Sequence, residues 1–392
     1  MAEPARKRYE ALDSLRGICA CAVVLFHLQV TGGLAAWPLF RNAWLLVDFF
    51  FVLSGFVIMA SYGQRLANGF SPLAFMMLRL GRVYPVHIIM IAAYAAIECV
   101  SLLLHLDVFT GRAAFTGSQS LPALFQNLAL VQIFGLDDSV TWNGPSWSIA
   151  AEIWTYLIVA LGLTFMGMRF LLVMAAVVLI APLILTAAGD KGLAWTYSWS
   201  LVRCLYGFGI GMLAYQVHIA RGERQSRYAS LIEGAAALAC IGALMLIGPG
   251  PVEYAMPPLF ACTILIFARE GGVVSRLLCA APMRALGLWS YSIYMVHTFV
   301  ITRTTDVLKL VGPMLDIELV STQLPSGNPG KVLVGSDLLQ SVVALAVLAV
   351  VILLAALCYR FVEEPGRIAS RRLVERYRRS AGSAAESVAP SS

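Results

Sequence analysis

An imidazole at position 27, set in the apolar run Ile18–Leu28, is well suited to move a proton. Its ordinary pKa of about 6.5 lets it act as a general base near neutrality. Four further ionisable residues stand in comparably apolar surroundings: Asp48, Glu152, Arg203 and His297. Such a group inside an apolar span costs roughly 2.5–3.5 kcal/mol on insertion scales, so each is expected to be paired or functional. Counting along each run at about 1.5 Å per residue puts all five about 8–10 Å below the same surface. Scattered structural charges have no reason to share a depth. His27 and Glu152 read either as a catalytic pair, the carboxylate orienting the ring, or as a polar pair that only joins helices. Asp48 is a second candidate to orient His27. With Arg203 it reads equally as an ion pair that fixes packing. His297, among Trp289, Tyr291 and Tyr294, is either a packing residue or a substrate contact. Ser146 and Ser148 lack the Gly-x-Ser-x-Gly elbow of a nucleophile, which favours helix capping or substrate hydrogen bonding.

A second polar group lies towards the other face. Arg16 is near the start of the first apolar run, and Arg79 and Arg82, three residues apart, share one helical face. Guanidinium groups bind phosphate oxygens in pairs, so this cluster either holds a phosphorylated cofactor or serves as ordinary basic anchoring. Gly207, Gly209 and Gly211 imitate a nucleotide fingerprint, but no strand precedes them; Gly207 with Gly211 reads as a helix-packing pair. His87, His105 and His218 fall at the ends of apolar runs and read as ordinary boundary residues. No metal-ligand spacing links cysteine and histidine, so no metal is expected, and the eight cysteines read as small packing residues.

These residues must be positioned by helices in lipid. Of 392 residues, 59% are apolar and 13% charged, with mean hydropathy +0.79, against roughly 45–50% and about 25% in soluble domains. Ten apolar runs of membrane-spanning length lie near 14–32, 43–62, 83–105, 146–167, 169–188, 198–219, 229–248, 251–268, 284–303 and 337–360. With the N-terminus in the cytoplasm, 20 basic residues fall inside, six outside and two within spans, as the positive-inside rule requires. The net charge of +6 is therefore topological, and no nucleic-acid partner is implied. The expected fold class is all-α, a polytopic membrane bundle with both termini cytoplasmic. Residues 1–13 form a cytoplasmic N-terminus, 14–362 the membrane domain, and 363–392 a basic and then disordered cytoplasmic tail. Arg16 and His27 make the first run an uncleaved span. Residues 106–145 and 304–336 are long outer loops, the first with an interfacial or re-entrant stretch, Leu121 to Phe134.

Six motifs now fall into order. Arg16 precedes His27 with ten residues between them. Asp48-Phe49-Phe50-Phe51-Val52-Leu53-Ser54-Gly55-Phe56 is similar to a DxFFxLSGF signature. Arg79-Leu80-Gly81-Arg82 leads to Pro85; Trp147-Ser148 leads to Glu152; Gly287 to His297 is similar to GxxSYxxYLxH; and Glu363-Glu364-Pro365 closes the series. In these motifs the chain resembles membrane acyltransferase family 3, over about nine-tenths of its length. The resemblance implies transfer of an acyl group, acetyl first among the candidates, from cytoplasmic acyl-CoA to a hydroxyl of an extracytoplasmic or lipid-linked carbohydrate. The expected reaction is thus O-acetylation at the bacterial inner membrane, with an exopolysaccharide, lipopolysaccharide, peptidoglycan, glycolipid or small secondary metabolite as acceptor. In this reading Arg16, Arg79 and Arg82 bind the phosphates of acyl-CoA, and His27 is general base or acyl carrier with Glu152 or Asp48 beside it. Trp147, Ser148, Arg203, Tyr291 and His297 contact substrate. Carbohydrate and membrane lipid are the expected partners. The competing reading is a proton-coupled transporter or flippase of a glycan or small solute, which the absence of an inverted repeat disfavours.

Overall fold

The computed structural model describes residues 9–105, 112–222, 226–323 and 329–387. Arg6, Lys7, Arg8, Arg224 and residues 388–392 lie outside the described residues. Each of the ten apolar runs falls on a helix. In chain order the helices are α1 (Glu10–His27), α2 (Leu46–Ile58), α3 (Pro72–Leu103), α4 (Leu121–Leu128), α5 (Ser146–Met166), α6 (Phe170–Ala188) and α7 (Ser200–Arg221). There follow α8 (Ala229–Leu246), α9 (Met256–Phe267), α10 (Val273–Leu278), α11 (Ala281–Val311), α12 (Asp337–Cys358) and α13 (Glu364–Ser387). Below, the lower end of the bundle is the one where α1 begins.

Five stretches among the described residues are long and apolar enough to cross a membrane: Ala43–Ala67, Pro72–Leu103, Ser146–Ala188, Ala229–Leu246 and Asp337–Ser380. The third contains α5 and α6, which meet at Gly167 with φ +58°. Leu172, Leu179 and Leu183 on α6, and Leu231 and Leu238 on α8, are about 70% exposed or more. Water-soluble surfaces rarely leave such stripes open, whereas lipid tails cover them without penalty. The chain is an integral membrane protein.

Two expected boundaries move. The first span stops at His27, not at residue 32, because the following chain is captured as an extended segment. The Leu333 amide donates to the Gln29 carbonyl (2.9 Å), and the Thr31 amide donates to the Leu333 carbonyl (3.3 Å). Gln340 Oε1 also accepts from the amides of Thr31 and Gly32 at 2.9 Å each. Leu333 belongs to an antiparallel hairpin, β1 (Val320–Gln323) with β2 (Pro329–Leu333). The stretch expected to be an outer loop from residue 304 thus holds the end of α11, this hairpin and a seat for the end of α1. At the other terminus α13 continues to Ser387, through residues whose Ser, Ala and Gly content suggested disorder.

Close helix contacts rest on glycine. α1 and α11 run side by side in the same direction. A methyl group added at Gly17 would lie 2.5 Å from the Leu286 carbonyl carbon, and one at Gly287 would lie 2.5 Å from the Asp13 carbonyl oxygen. α2 and α7 likewise run together, with Gly55 against Phe208 and Gly207 and Gly211 against residues 48–56. The expected packing role of Gly207 and Gly211 is what the bundle contains. A Cβ at Gly211 would fall 1.9 Å from the Val52 carbonyl oxygen, which is backbone and cannot rotate away. Gly211→Ala is expected to destabilise the protein by about 1–3 kcal/mol through overpacking. Thermal unfolding in detergent checks this, with Gly234→Ala as the comparison, since nothing lies within 4 Å of a Cβ there.

Candidate active site

His27 is the last residue of α1 and lines an upper cavity of about 1020 Å³. Its ring stands against that of His297, with centroids 4.7 Å apart. His27 Nδ1 lies 3.1 Å from His297 Nε2 and 3.0 Å from the Val23 carbonyl oxygen. His297 is fully buried, and its Nδ1 lies 2.6 Å from the Tyr294 carbonyl oxygen. A carbonyl only accepts, so His297 Nδ1 carries a hydrogen, and in the neutral ring Nε2 is then a lone pair. That lone pair faces His27 Nδ1, which must therefore be the protonated nitrogen of its ring. His27 Nε2 is left as a lone pair with no hydrogen-bond partner among the described residues. The chain of carbonyl, imidazole and imidazole fixes a tautomer just as a carboxylate does in a hydrolase triad.

The carboxylate expected beside His27 is elsewhere. Glu152 Oε1 accepts the hydroxyls of Ser54 and, at 2.5 Å, Tyr156. The residue lines a narrower lower cavity of about 100 Å³ with Arg16, Arg79, Arg82 and Tyr291. The depth estimate fails because α5 does not begin at the membrane surface. Asn143 and Ser146 are already fully buried, and Asn143 Nδ2 donates to the Met295 carbonyl (3.1 Å). The start of α5 is thus level with His297, and Glu152 lies about two turns, roughly 10 Å, below it. Glu152 consequently does not orient the His27 ring; His297 does.

Asp48 is corrected too. Its two oxygens accept from Arg203 Nε (3.0 Å) and Nη2 (2.7 Å), and both side chains are at most 1% exposed. Arg203 Nη1 donates to the Trp195 carbonyl (3.2 Å), and the guanidinium lies over the rings of Trp44 and Trp147. Neither Asp48 nor Arg203 lines the upper or the lower cavity. They form a packing pair, so neither the catalytic role expected of Asp48 nor the substrate contact expected of Arg203 fits their surroundings.

The two cavities approach each other at one place. Ser148 and Tyr294 line the lower one, Pro145 and Trp147 the upper. Ser148 Oγ donates to the Tyr294 hydroxyl (2.9 Å), and that hydroxyl donates to the Pro145 carbonyl (3.2 Å). A small polar latch therefore separates the chambers, one helical turn from His297. Tyr291 lines the lower cavity and donates to the Val83 carbonyl at 2.5 Å.

The arginines divide their tasks. Arg16 is tied down, donating to Ser290 Oγ (2.7 Å) and the Gly287 carbonyl (3.1 Å) and pairing with Asp13 at 3.3 Å. Arg82 makes no hydrogen bond among the described residues and has Glu363 as its chief counter-charge, and Arg79 Nε is buried without a partner. Both line the lower cavity and also a mouth cavity of about 160 Å³, where Arg367 and Arg371 of α13 join them. Unspent guanidinium donors facing a cavity suit a phosphate-bearing ligand. The sequence reading missed α13 as part of this site. It also missed the buried Glu363, which accepts from Ser292 Oγ at 2.9 Å. The clue lay in the closing Glu-Glu-Pro motif, whose Glu363 ends a π turn, Tyr359–Glu363. A second π turn, Met59–Gly63, contributes Ser61 and Tyr62 to the wall of the mouth cavity. Such turns recur where a helix must re-aim side chains at a site. Among the described residues no group of His, Cys, Asp or Glu could hold a metal ion.

With this arrangement in view, residues 9–360 match the family model described as the acyltransferase domain of acyltransferase family 3. The chain belongs to that family. It is 27% identical over 303 residues to a protein named as membrane-bound transacylase BcsY of Komagataeibacter xylinus, covering 74% of this chain and 72% of the relative. It is 31% identical over 166 residues to protein 2 in the picA locus of Rhizobium radiobacter, covering 39% of this chain and 81% of the relative. No solved structure matches. The transporter reading gives way to membership in a membrane acyltransferase family.

Proposed function

We propose that this acyltransferase moves an acyl group, acetyl in the simplest case, from cytoplasmic acyl-CoA to a hydroxyl of an extracytoplasmic or lipid-linked carbohydrate. The observation that carries the reading is the lone pair of His27 Nε2 beside the large upper cavity, with the guanidinium-lined lower cavity ending one turn away. In this reading ten helices cross the bacterial inner membrane, both termini are cytoplasmic, and the basic lower end faces the cytoplasm. Arg79, Arg82, Arg367 and Arg371 hold the nucleotide phosphates at the mouth. In this reading the linear pantetheine arm lies in the lower cavity, passes Glu152 and reaches the Ser148–Tyr294 latch.

Transfer then balances as follows. His27 Nε2 takes the proton of the acceptor hydroxyl while that oxygen attacks the thioester carbonyl. The imidazolium so formed is stabilised through Nδ1–H by the His297 lone pair and the Val23 carbonyl. The tetrahedral intermediate collapses by breaking the carbon–sulfur bond, and the proton on His27 passes to the departing thiolate. A variant of this reading has the same lone pair carry the acyl group covalently before transfer.

Purified protein in nanodiscs, given labelled acyl-CoA and an oligosaccharide, is expected to release CoA thiol and label the sugar in equal amounts. Arg82→Gln is expected to raise KM for acyl-CoA by about tenfold to a hundredfold, the range for a lost charge-assisted contact. Protein that consumes no acyl-CoA with any acceptor, yet moves a solute into liposomes, would overturn the proposal.

A further inference from the structure

The upper cavity carries an excess of positive charge that acyl transfer to a neutral sugar does not require. Four cations line it, Arg112, Arg303, Lys309 and Lys331, against two carboxylates, Glu98 and Asp306. Glu98 is fully engaged: it accepts from both terminal nitrogens of Arg112 and from the Phe115 amide at 2.9 Å. Asp306 is shared, pairing with Arg303 at 2.9 Å and also with Lys331. Lys309, one turn further along α11, has no carboxylate partner among the described residues, and Arg303 Nε is buried without a hydrogen bond. Among the described residues the cavity wall therefore carries two positive charges more than its carboxylates neutralise, and one of them, Lys309, is on α11. The rest of the lining suits a carbohydrate, with Tyr94 and Trp147 as flat surfaces and Thr298, Thr302 and Gln119 as hydroxyl and amide partners.

We propose that the acceptor is an acidic carbohydrate, held by a carboxylate or phosphate group at Lys309, Arg303 and Lys331. This rests on the acyltransferase reading and deepens it. Spacing adds a second condition. Arg303 and Lys309 lie six and twelve residues beyond His297 on the same helix, so the anion site is about 9–18 Å above the level of His27. At Lys309, the upper end of that range, the distance exceeds the reach of one monosaccharide. The acidic group therefore sits on a different sugar from the one acylated, and the acceptor is an oligosaccharide or longer.

The test measures binding without donor, to protein in nanodiscs, of three trisaccharides of equal length: neutral, glucuronate-bearing and phosphate-bearing. At least one acidic trisaccharide is expected to bind about tenfold more tightly than the neutral one, and the better of the two identifies the anion. The advantage should shrink as salt rises. It should collapse in Lys309→Gln and persist in Lys309→Arg. Lys309 is exposed, so neither variant threatens folding. Equal binding of neutral and acidic trisaccharides, or a preference untouched by Lys309→Gln, overturns the proposal. An intact acidic preference in protein that transfers no acyl group would sustain this site and overturn the transferase reading instead.

Discussion

On the proposed reading His27→Ala is expected to lower kcat for acyl transfer to carbohydrate by about 10²–10⁴, the contribution of a positioned general base. Labelled acyl-CoA and a saturating acceptor measure it. KM for acyl-CoA should barely move, because the guanidinium groups proposed to hold the donor are at the other end of the lower cavity. The fold should survive, since the ring stands at the end of α1 beside a cavity and is only half-buried. His297 offers the sharper comparison. It contacts the base and not the reacting atoms, so it is a positioning residue. His297→Leu removes the acceptor for His27 Nδ1–H and leaves the imidazolium without its partner. His297→Gln retains one acceptor and one donor on a side chain of similar reach. The leucine variant is expected to lose about tenfold to a hundredfold in kcat with KM unchanged, and the glutamine variant to recover part of that loss. If both variants matched the parent, His297 would be packing alone and the tautomer of His27 would be set by Val23.

Much of this site was legible in the sequence, and the failures have specific physical causes. His27 was marked as a polar residue in an apolar run, because burying such a group needs a compensating reason, and Arg79 and Arg82 by their spacing on one helical face just before the third run. The partners were not legible. Helix rise converts residue number into depth only when the helix starts at the membrane surface. α1 ends early because a hairpin some 300 residues later seizes Gln29 and Thr31, and α5 starts deep beneath residues 112–142. Glu152 therefore dropped two turns below the histidines, and His297 took the place expected of a carboxylate. Hydropathy alone fares worse at the site than away from it. α1 and α11 fall outside the five stretches apolar enough to cross a membrane, yet they supply Arg16, His27 and His297. Function made those helices polar, and their polarity weakens the signal that would place them in lipid.

The second large effect belongs to a buried ion pair that lines neither cavity. Asp48→Ala leaves the Arg203 guanidinium buried, with Trp44 and Trp147 over it and no counter-charge. Breaking a buried pair on one side costs about 3–5 kcal/mol, enough to exhaust much of the stability of a typical domain. The expected result is a sharp fall in monodisperse protein recovered in detergent and a much lower unfolding temperature. The double variant Asp48→Leu with Arg203→Met removes both charges and fills the space with apolar atoms, so it should recover most of that loss. The double variant also separates structure from catalysis. Were Asp48 a proton carrier, the double variant would fold and remain inactive. Because both its oxygens are spent on Arg203, and His27 already has its partner in His297, the folded double variant is expected to keep most of the acyl transfer. Inactive but well-folded double variant would return Asp48 to the mechanism.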